Sequence, residues 1–192
     1  MGEDLSNLIS LLQLAFSGEK AAGYAYRGHW RSVSLTEERD RIAVIEKEEW
    51  HHRLLVGEML LELGASPSRI REFRAAIIGR TLGFLCHLSG WLLPMYGAGR
   101  LESRNIREYE TAARFAFASG RTQFVECLLT MAEVEWEHEH YFRLKVKSHR
   151  LGRWVPLWKK PPVKTTIRTS FKNETEECSL PIAIETTEDT QA

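Results

Sequence analysis

The sequence contains few of the residues that cross-link chains or interrupt helices. Its three cysteines, Cys86, Cys127 and Cys178, are odd in number, widely spaced and without a Cys-x-x-Cys pair. This pattern argues against a disulfide framework and against a thiolate metal site. Only Pro67 and Pro94 precede residue 150, so most of the first three quarters is free to be helical. We therefore expect an all-α protein from a reducing compartment.

The chain also lacks net charge and an obvious targeting segment. Its 26 Lys and Arg residues balance 26 Asp and Glu residues, so any charged binding surface must be local. The first residues, MGEDLSN, have neither the basic patch nor the apolar stretch of a signal peptide. We expect a cytoplasmic protein, and 192 residues with 43% hydrophobic content are enough for one sizeable core.

Apolar stripes with helical spacing occupy this proline-poor region, and charged residues interrupt each of them. The stripes run through residues 5–26, 42–63, 106–117 and 124–142, which predicts four helices with one inward face each. The interrupting residues are Glu19, Glu49, His52, Glu110, Glu135 and His138. Carboxylates and imidazoles at positions that should be buried indicate a function for them rather than a packing role.

These residue types at this spacing are typical of a metal centre. A Glu three residues before a His places both side chains on one helical face, where one cation can bind both. Two such pairs and one inward Glu from each of two further helices form the ligand set of di-iron and di-manganese carboxylate bundles. Four carboxylates would be neutralised by two divalent ions, which removes the cost of burying unpaired charge. We predict all six residues as metal ligands.

The Glu-x-x-His pairs occur in overlapping versions, and the apolar period decides between them. The versions are Glu48/His51 beside Glu49/His52, and Glu135/His138 beside Glu137/His140. Only Glu49/His52 and Glu135/His138 are in phase with their stripes. The alternative interpretation, a solvated acidic face such as EVEWEHEH, does not account for four carboxylates in phase.

Two further segments suggest a surface that contacts membranes. Residues 81–99 form the least polar segment, and their four glycines and one proline favour docking in the plane of a membrane over spanning it. A buried helix or a dimer interface is the alternative. Residues 143–172 carry ten Lys or Arg and no acid, interleaved with Trp154 and Trp158, which suits anionic headgroups. Nucleic acid is the weaker alternative because no RNA-binding signature is present.

The domain organisation follows from the change from apolar helical stripes to a basic sequence near residue 148. We expect a helical bundle over residues 1–147 and a tail over residues 148–192 that is first basic, then acidic, and partly disordered. Four aromatic residues close to the predicted ligands in sequence are either packing groups or supports for those ligands. They are Tyr26, Trp50, Tyr109 and Trp136.

The ordered motifs resemble a known family, the demethoxyubiquinone hydroxylases of the ferritin-like superfamily. The resemblance covers residues 10–145 and is carried by four segments. They are SGEKAAGYAYRGH with Glu19, EWHHRLLVGEML with Glu49 and His52, YETAARFA with Glu110, and EVEWEH with Glu135 and His138. It implies a ferritin-like four-helix bundle whose glycine-rich apolar segment lies at the membrane surface.

The resemblance also implies an activity. A di-iron monooxygenase of this family uses dioxygen to hydroxylate the ring of a polyprenylated methoxy-benzoquinol in ubiquinone biosynthesis. The expected cofactors are two iron ions, with NADH as a candidate electron donor. The expected location is the cytoplasmic membrane face, with other quinone-biosynthesis proteins as candidate partners. Three alternatives stay open: a di-iron tRNA hydroxylase, a rubrerythrin-like peroxidase and a non-catalytic iron-binding bundle.

Overall fold

The computed structural model describes residues 2–179, and the helical prediction is confirmed for them. Six helices follow in order, and the described residues contain no strand. The helices are α1 Glu3–Ser32, α2 Thr36–Glu62, α3 Arg69–Cys86, α4 Leu92–Ala118, α5 Val125–Ser148 and α6 Lys164–Ser179. Short 3-10 turns at Thr122–Phe124 and Gly152–Trp154 precede α5 and follow it.

The long helices pack around α1 and α4. Helix α1 contacts α2, α3 and α4, whereas α5 packs against α4 and α6. The inward faces predicted for α1, α2 and α5 are buried, including the charged residues within them. This arrangement is compatible with a helical bundle in which four long helices enclose one interior.

The interior is divided into two apolar cores. One core includes Leu12 of α1, Val56 of α2 and Met131 of α5. The other includes Tyr26 of α1 and Phe142 of α5. On each of the four long helices, buried residues that can carry charge lie between the segments that supply the two cores: Glu19, Glu49, His52, Glu102, Glu135 and His138. A polar layer therefore separates two apolar halves of the molecule.

The apolar segment 81–99 is two helix ends joined by a turn. Helix α3 docks on α1 through the small residues Ala75, Gly79 and Gly83, and a side chain at Gly28 would clash with the backbone of Gly83. The opposite side of α3 and the following turn leave large apolar side chains exposed. We call this surface the apolar face; it consists of Ile70, Phe73, Ile77, Phe84, Leu88 and Leu93. No helix in residues 2–179 has the length and apolarity to cross a bilayer.

Residues 148–179 of the tail include α6 and contact both cores. Ile167 is buried in the core and Phe171 packs against it, while Trp158 packs against the second core. Arg168 forms ion pairs with Glu126 and Glu133 of α5. The local composition does not reveal these long-range contacts. Residues 180–192, predicted to be an acidic disordered end, lie outside the described residues.

Candidate metal centre

Six buried side chains from four helices meet in the polar layer. Helix α1 supplies Glu19, α2 supplies Glu49 and His52, and α5 supplies Glu135 and His138. These are the positions that the apolar period predicted. The sixth member is Glu102 of α4, which is fully buried, so the set contains four carboxylates and two imidazoles.

Glu110 is not part of this cluster, and the prediction for α4 is corrected here. The buried side of α4 is formed by Met95, Glu102, Ile106 and Tyr109, whereas Glu110 is half-buried beside Arg114. The sequence interpretation placed the stripe of this helix over residues 106–117, but the helix begins at Leu92. A proline is tolerated in the first turn of a helix. Extending the apolar period back to Met95 would have pointed to Glu102.

The cluster forms two overlapping groups of potential ligands. One group contains Glu19, Glu49, His52 and Glu135, and the other contains Glu49, Glu102, Glu135 and His138. Within each group the ligand atoms lie within 4.8 Å of one another, which is the scale expected when oxygen and nitrogen ligands surround one ion at about 2 Å. Glu49 and Glu135 belong to both groups.

The polar atoms of this cluster largely lack partners within the protein. Seven buried atoms have no hydrogen bond in the described part of the chain: Glu19 Oε2, both carboxylate oxygens of Glu49 and of Glu135, His52 Nδ1 and His138 Nδ1. His52 Nδ1 lies 2.9 Å from Glu135 Oε1, and His138 Nδ1 lies 3.3 Å from Glu49 Oε1, but neither contact has hydrogen-bond geometry. Buried polar groups are normally paired. Atoms that converge without pairing fit a pair of cations between them.

The electrostatics of the cluster show the same deficit of positive charge. Burial, reinforced by Glu135, raises the pKa of Glu19, Glu49 and Glu102, the last two well above their usual range. Burial alone would also raise the pKa of Glu135, but the two imidazoles hold it well below its usual range. Burial opposes the charged form of His138, yet Glu135 and Glu48 raise its pKa well above normal. Two imidazoles do not compensate four carboxylates.

Two of the four aromatic residues singled out in the sequence contact the cluster. The Tyr26 hydroxyl donates a hydrogen bond to Glu102, and the Tyr109 hydroxyl donates one to Glu19. Trp50 instead donates to Glu46, and Trp136 donates to the carbonyl of Pro162. The two tyrosines therefore orient carboxylates of the cluster, whereas the two tryptophans donate their hydrogen bonds to groups outside it.

A further carboxylate supports the cluster from outside. Glu48 Oε2 lies 2.8 Å from His138 Nε2 and also pairs with Arg41 at 3.2 Å. This contact occupies the ring nitrogen of His138 that faces away from Glu49 and Glu135. A carboxylate on the outer nitrogen fixes the orientation of a ligating histidine. The sequence interpretation rejected Glu48 as a ligand and did not foresee this role, because the contact joins residues 90 positions apart.

A cavity of about 430 Å³ lies between α1, α3 and α4. Its walls are mostly aliphatic, and no charged side chain lines it. Tyr26 lines this cavity and also hydrogen-bonds Glu102, so this side chain contacts both the cavity and the cluster. The site therefore combines a charged interior with an adjoining apolar space.

The basic segment, residues 143–172, packs along the first half of α4. Tyr96 donates a hydrogen bond to the carbonyl of Pro156 at 3.0 Å, and its ring contacts Trp158. Trp91 stacks on His149 with ring centroids 5.0 Å apart. These contacts place residues 149–158 beside the helix end that carries Leu93.

Comparisons of the chain with models of protein families, with curated proteins and with solved structures find no match in any of the three.

Proposed function

We propose that this chain is a di-iron monooxygenase with a ferritin-like four-helix bundle, and that it hydroxylates the ring of a polyprenylated methoxy-benzoquinol. The observation that carries this proposal is the buried set of four carboxylates and two imidazoles, in which seven polar atoms lack hydrogen-bond partners among the described residues. The motif resemblance supplies the substrate class.

The residues that would hold the metal follow from the two overlapping groups. Glu19 and His52 would bind one ion, and Glu102 and His138 would bind the other. Glu49 and Glu135 belong to both groups and could therefore bind either ion. Oxygen and imidazole ligands of this kind suit iron and leave positions open. The protein would therefore supply a neutral dimetal centre in which every carboxylate is compensated.

When bound, two ferrous ions would supply the electrons that activate dioxygen, one atom of which enters the substrate ring while the other leaves as water. An external donor, for which NADH is the candidate, restores the two electrons. The apolar walls of the cavity would hold the ring and exclude water. Tyr26 and Tyr109 would keep Glu102 and Glu19 oriented, and Glu48 would do the same for His138.

Delivery of a polyprenyl substrate requires contact with a bilayer. The apolar face exposes Leu88 and Leu93 by 67% and 61%. Their chain neighbours Ser89 and Pro94 line the cavity. The basic segment lies along the same end of α4, with Trp154 exposed by 75%. An apolar surface beside basic and aromatic residues suits peripheral docking on anionic lipid. We propose the cytoplasmic face of the membrane as its location.

The decisive test of the metal centre is metal analysis after loading with ferrous iron under anaerobic conditions. We expect two iron ions per chain in the wild type and a clear loss in Glu49→Ala and Glu135→Ala. Glu110→Ala is the matched control, because Glu110 lies outside the cluster, and it should retain both ions. Fewer than one iron per wild-type chain would overturn the proposal.

The reaction is tested by labelling. Iron-loaded protein, reductant and a short-chain demethoxy-quinol should give a hydroxylated product that carries one ¹⁸O atom from ¹⁸O₂. Faster consumption of peroxide than of quinol would favour a peroxidase, and hydroxylation of tRNA would favour a tRNA hydroxylase. Iron binding without any oxygen-dependent turnover would indicate a non-catalytic bundle. Each of these three results would contradict the quinol assignment.

Membrane docking is tested by sedimentation with vesicles. We expect the wild type to bind vesicles that contain phosphatidylglycerol more strongly than pure phosphatidylcholine. The double variant Leu88→Glu/Leu93→Glu should lose this binding. Leu61→Glu is the matched control, since Leu61 on α2 is 79% exposed but lies outside the apolar face. Equal loss in both variants would contradict the docking surface.

A further inference from the structure

A second cleft, of about 440 Å³, opens to solvent between the later parts of α1 and α3. Its lining includes three arginines and three residues with aromatic rings: Arg27, Arg31, Arg80, Tyr24, Phe84 and His87. No acidic residue lines it. None of these side chains belongs to the metal centre, so the cleft needs an explanation of its own.

Two glycines set the distance between the walls of this cleft. Gly28 of α1 and Gly83 of α3 both line it, and a Cβ at Gly28 would lie only 2.2 Å from the carbonyl oxygen of Gly83. The two backbones are therefore in direct contact. This contact places the arginines of α1 on one wall and Arg80 on the other.

Aromatic rings hold the guanidinium groups in place at the cleft. Arg80 reaches from α3 to α1, where its Nη2 donates a hydrogen bond to the Tyr24 hydroxyl at 3.2 Å. The guanidinium carbons of Arg27 and Arg80 lie 5.8 and 4.3 Å from the centroid of the Tyr24 ring, so they are at most 10.1 Å apart. Arg31 lies over the Trp30 ring at 4.9 Å. Such cation–π contacts orient the arginines and leave most of their five N–H donors free.

The positive charge of the cleft is largely uncompensated. Arg31 and Arg80 are exposed, and neither forms an ion pair within the described part of the chain. The third arginine pairs with Glu46 at 2.8 Å. Residues 20–32 and 73–91, which supply the two walls, contain no Asp or Glu. Two accessible arginines are thus left without a counter-charge.

We propose that this cleft binds a phosphomonoester group, with Arg31 and Arg80 as its ligands. A phosphomonoester carries a charge of about −2 near pH 7, which matches two unpaired arginines, and guanidinium groups bind phosphate oxygens in a bidentate manner. Phe84 belongs both to this cleft and to the apolar face, so it contacts the organic part of the ester. The ester is a lipid headgroup or a soluble compound, and the site requires neither the metal nor the quinol.

The test measures binding to the full-length chain by calorimetry at constant ionic strength. The probes are inorganic phosphate and phosphatidylcholine vesicles that contain phosphatidic acid. We expect Arg31→Gln/Arg80→Gln to weaken binding at least about tenfold, as the loss of one charge-assisted hydrogen bond predicts. Arg74→Gln/Arg107→Gln is the matched control, because it removes the same charge from exposed arginines outside the cleft, and it should keep the wild-type Kd.

The two probes also distinguish the sources of the phosphate. Binding of inorganic phosphate would identify a soluble phosphomonoester, whereas binding to the vesicles alone would identify a lipid headgroup. In ¹⁵N-labelled wild-type protein, the bound probe should shift the Nε resonances of Arg31 and Arg80 but not that of Arg74. Equal weakening in both double variants, or no binding of either probe to the wild type, would overturn the proposal.

Discussion

Replacing Glu102 by Gln gives the sharpest test of the cluster, because Glu110 on the same helix is a natural control. The amide in Glu102→Gln keeps one oxygen to accept the hydrogen bond of Tyr26, and its NH2 group can donate to Asn105 once the Asn105 amide has turned by 180°. The substitution removes a metal-binding carboxylate. The metal-free variant should therefore be no less stable than the metal-free wild type, since burial already raises the pKa of Glu102 well above normal.

With metal present, Glu102→Gln should be less stable than the wild type. Loss of an outer partner of a metal ligand weakens binding by about 10- to 100-fold, so loss of a direct ligand should reach at least the upper value of about 100-fold. A metal concentration of about 100 times the wild-type Kd stabilises one site by about 2.7 kcal/mol, and a 100-fold weaker site retains only about 0.4 kcal/mol. Glu102→Gln should thus lose most of the stabilisation from that ion.

The assay is urea unfolding with and without Co²⁺, a redox-stable substitute for Fe²⁺, combined with the metal content of each protein. Glu110→Gln should behave as the wild type in both conditions. The assignment of Glu102 would be refuted if Glu110→Gln lost the metal-dependent stabilisation while Glu102→Gln kept it.

Three further predictions address the surroundings of the centre. Glu48→Gln should weaken metal binding about 10- to 100-fold in a Co²⁺ titration, and unchanged affinity would argue against its orienting role. The pKa of His29 is about 4 when folded and 6.5 when unfolded, so the unfolded chain gains a proton first and stability falls by about 2 kcal/mol from pH 7 to pH 5. In urea unfolding of the metal-free proteins, His29→Gln should not show this loss of stability between pH 7 and pH 5. An equal loss in the wild type and in His29→Gln would exclude His29 as its cause. A methyl group in Gly99→Ala would clash with the Trp158 ring, whereas a methyl group in Gly97→Ala on the same helix has open space. Thermal unfolding should therefore show Gly99→Ala destabilised and Gly97→Ala stabilised by up to about 1 kcal/mol. Equal shifts of the two variants would contradict the packing of Trp158 against α4.

The sequence predicted the centre where an apolar period frames the charged residues on both sides. Glu49 lies between Ile45 and Val56, and Glu135 lies between Met131 and Phe142, so their inward orientation follows from local spacing. The fourth carboxylate was missed because the glycines and the proline before residue 100 suggested a break where α4 continues.

Contacts between distant segments could not be predicted in the same way. The Glu48 contact with His138 depends on how α2 and α5 face each other. The docking of Ile167 and Trp158 depends on grooves that only the assembled helices create. A basic, proline-containing segment is compatible both with solvent and with such a groove, and only the three-dimensional arrangement distinguishes them.

The division of the interior into two apolar cores has a consequence for the life of the chain in the cell. The layer between the cores is where charge repulsion acts when no cation is present, so the two halves are held together least firmly there. Opening at this layer would expose both cores to proteases. We therefore expect iron supply to set the abundance of the protein as well as its activity, with chains that fail to acquire metal degraded first.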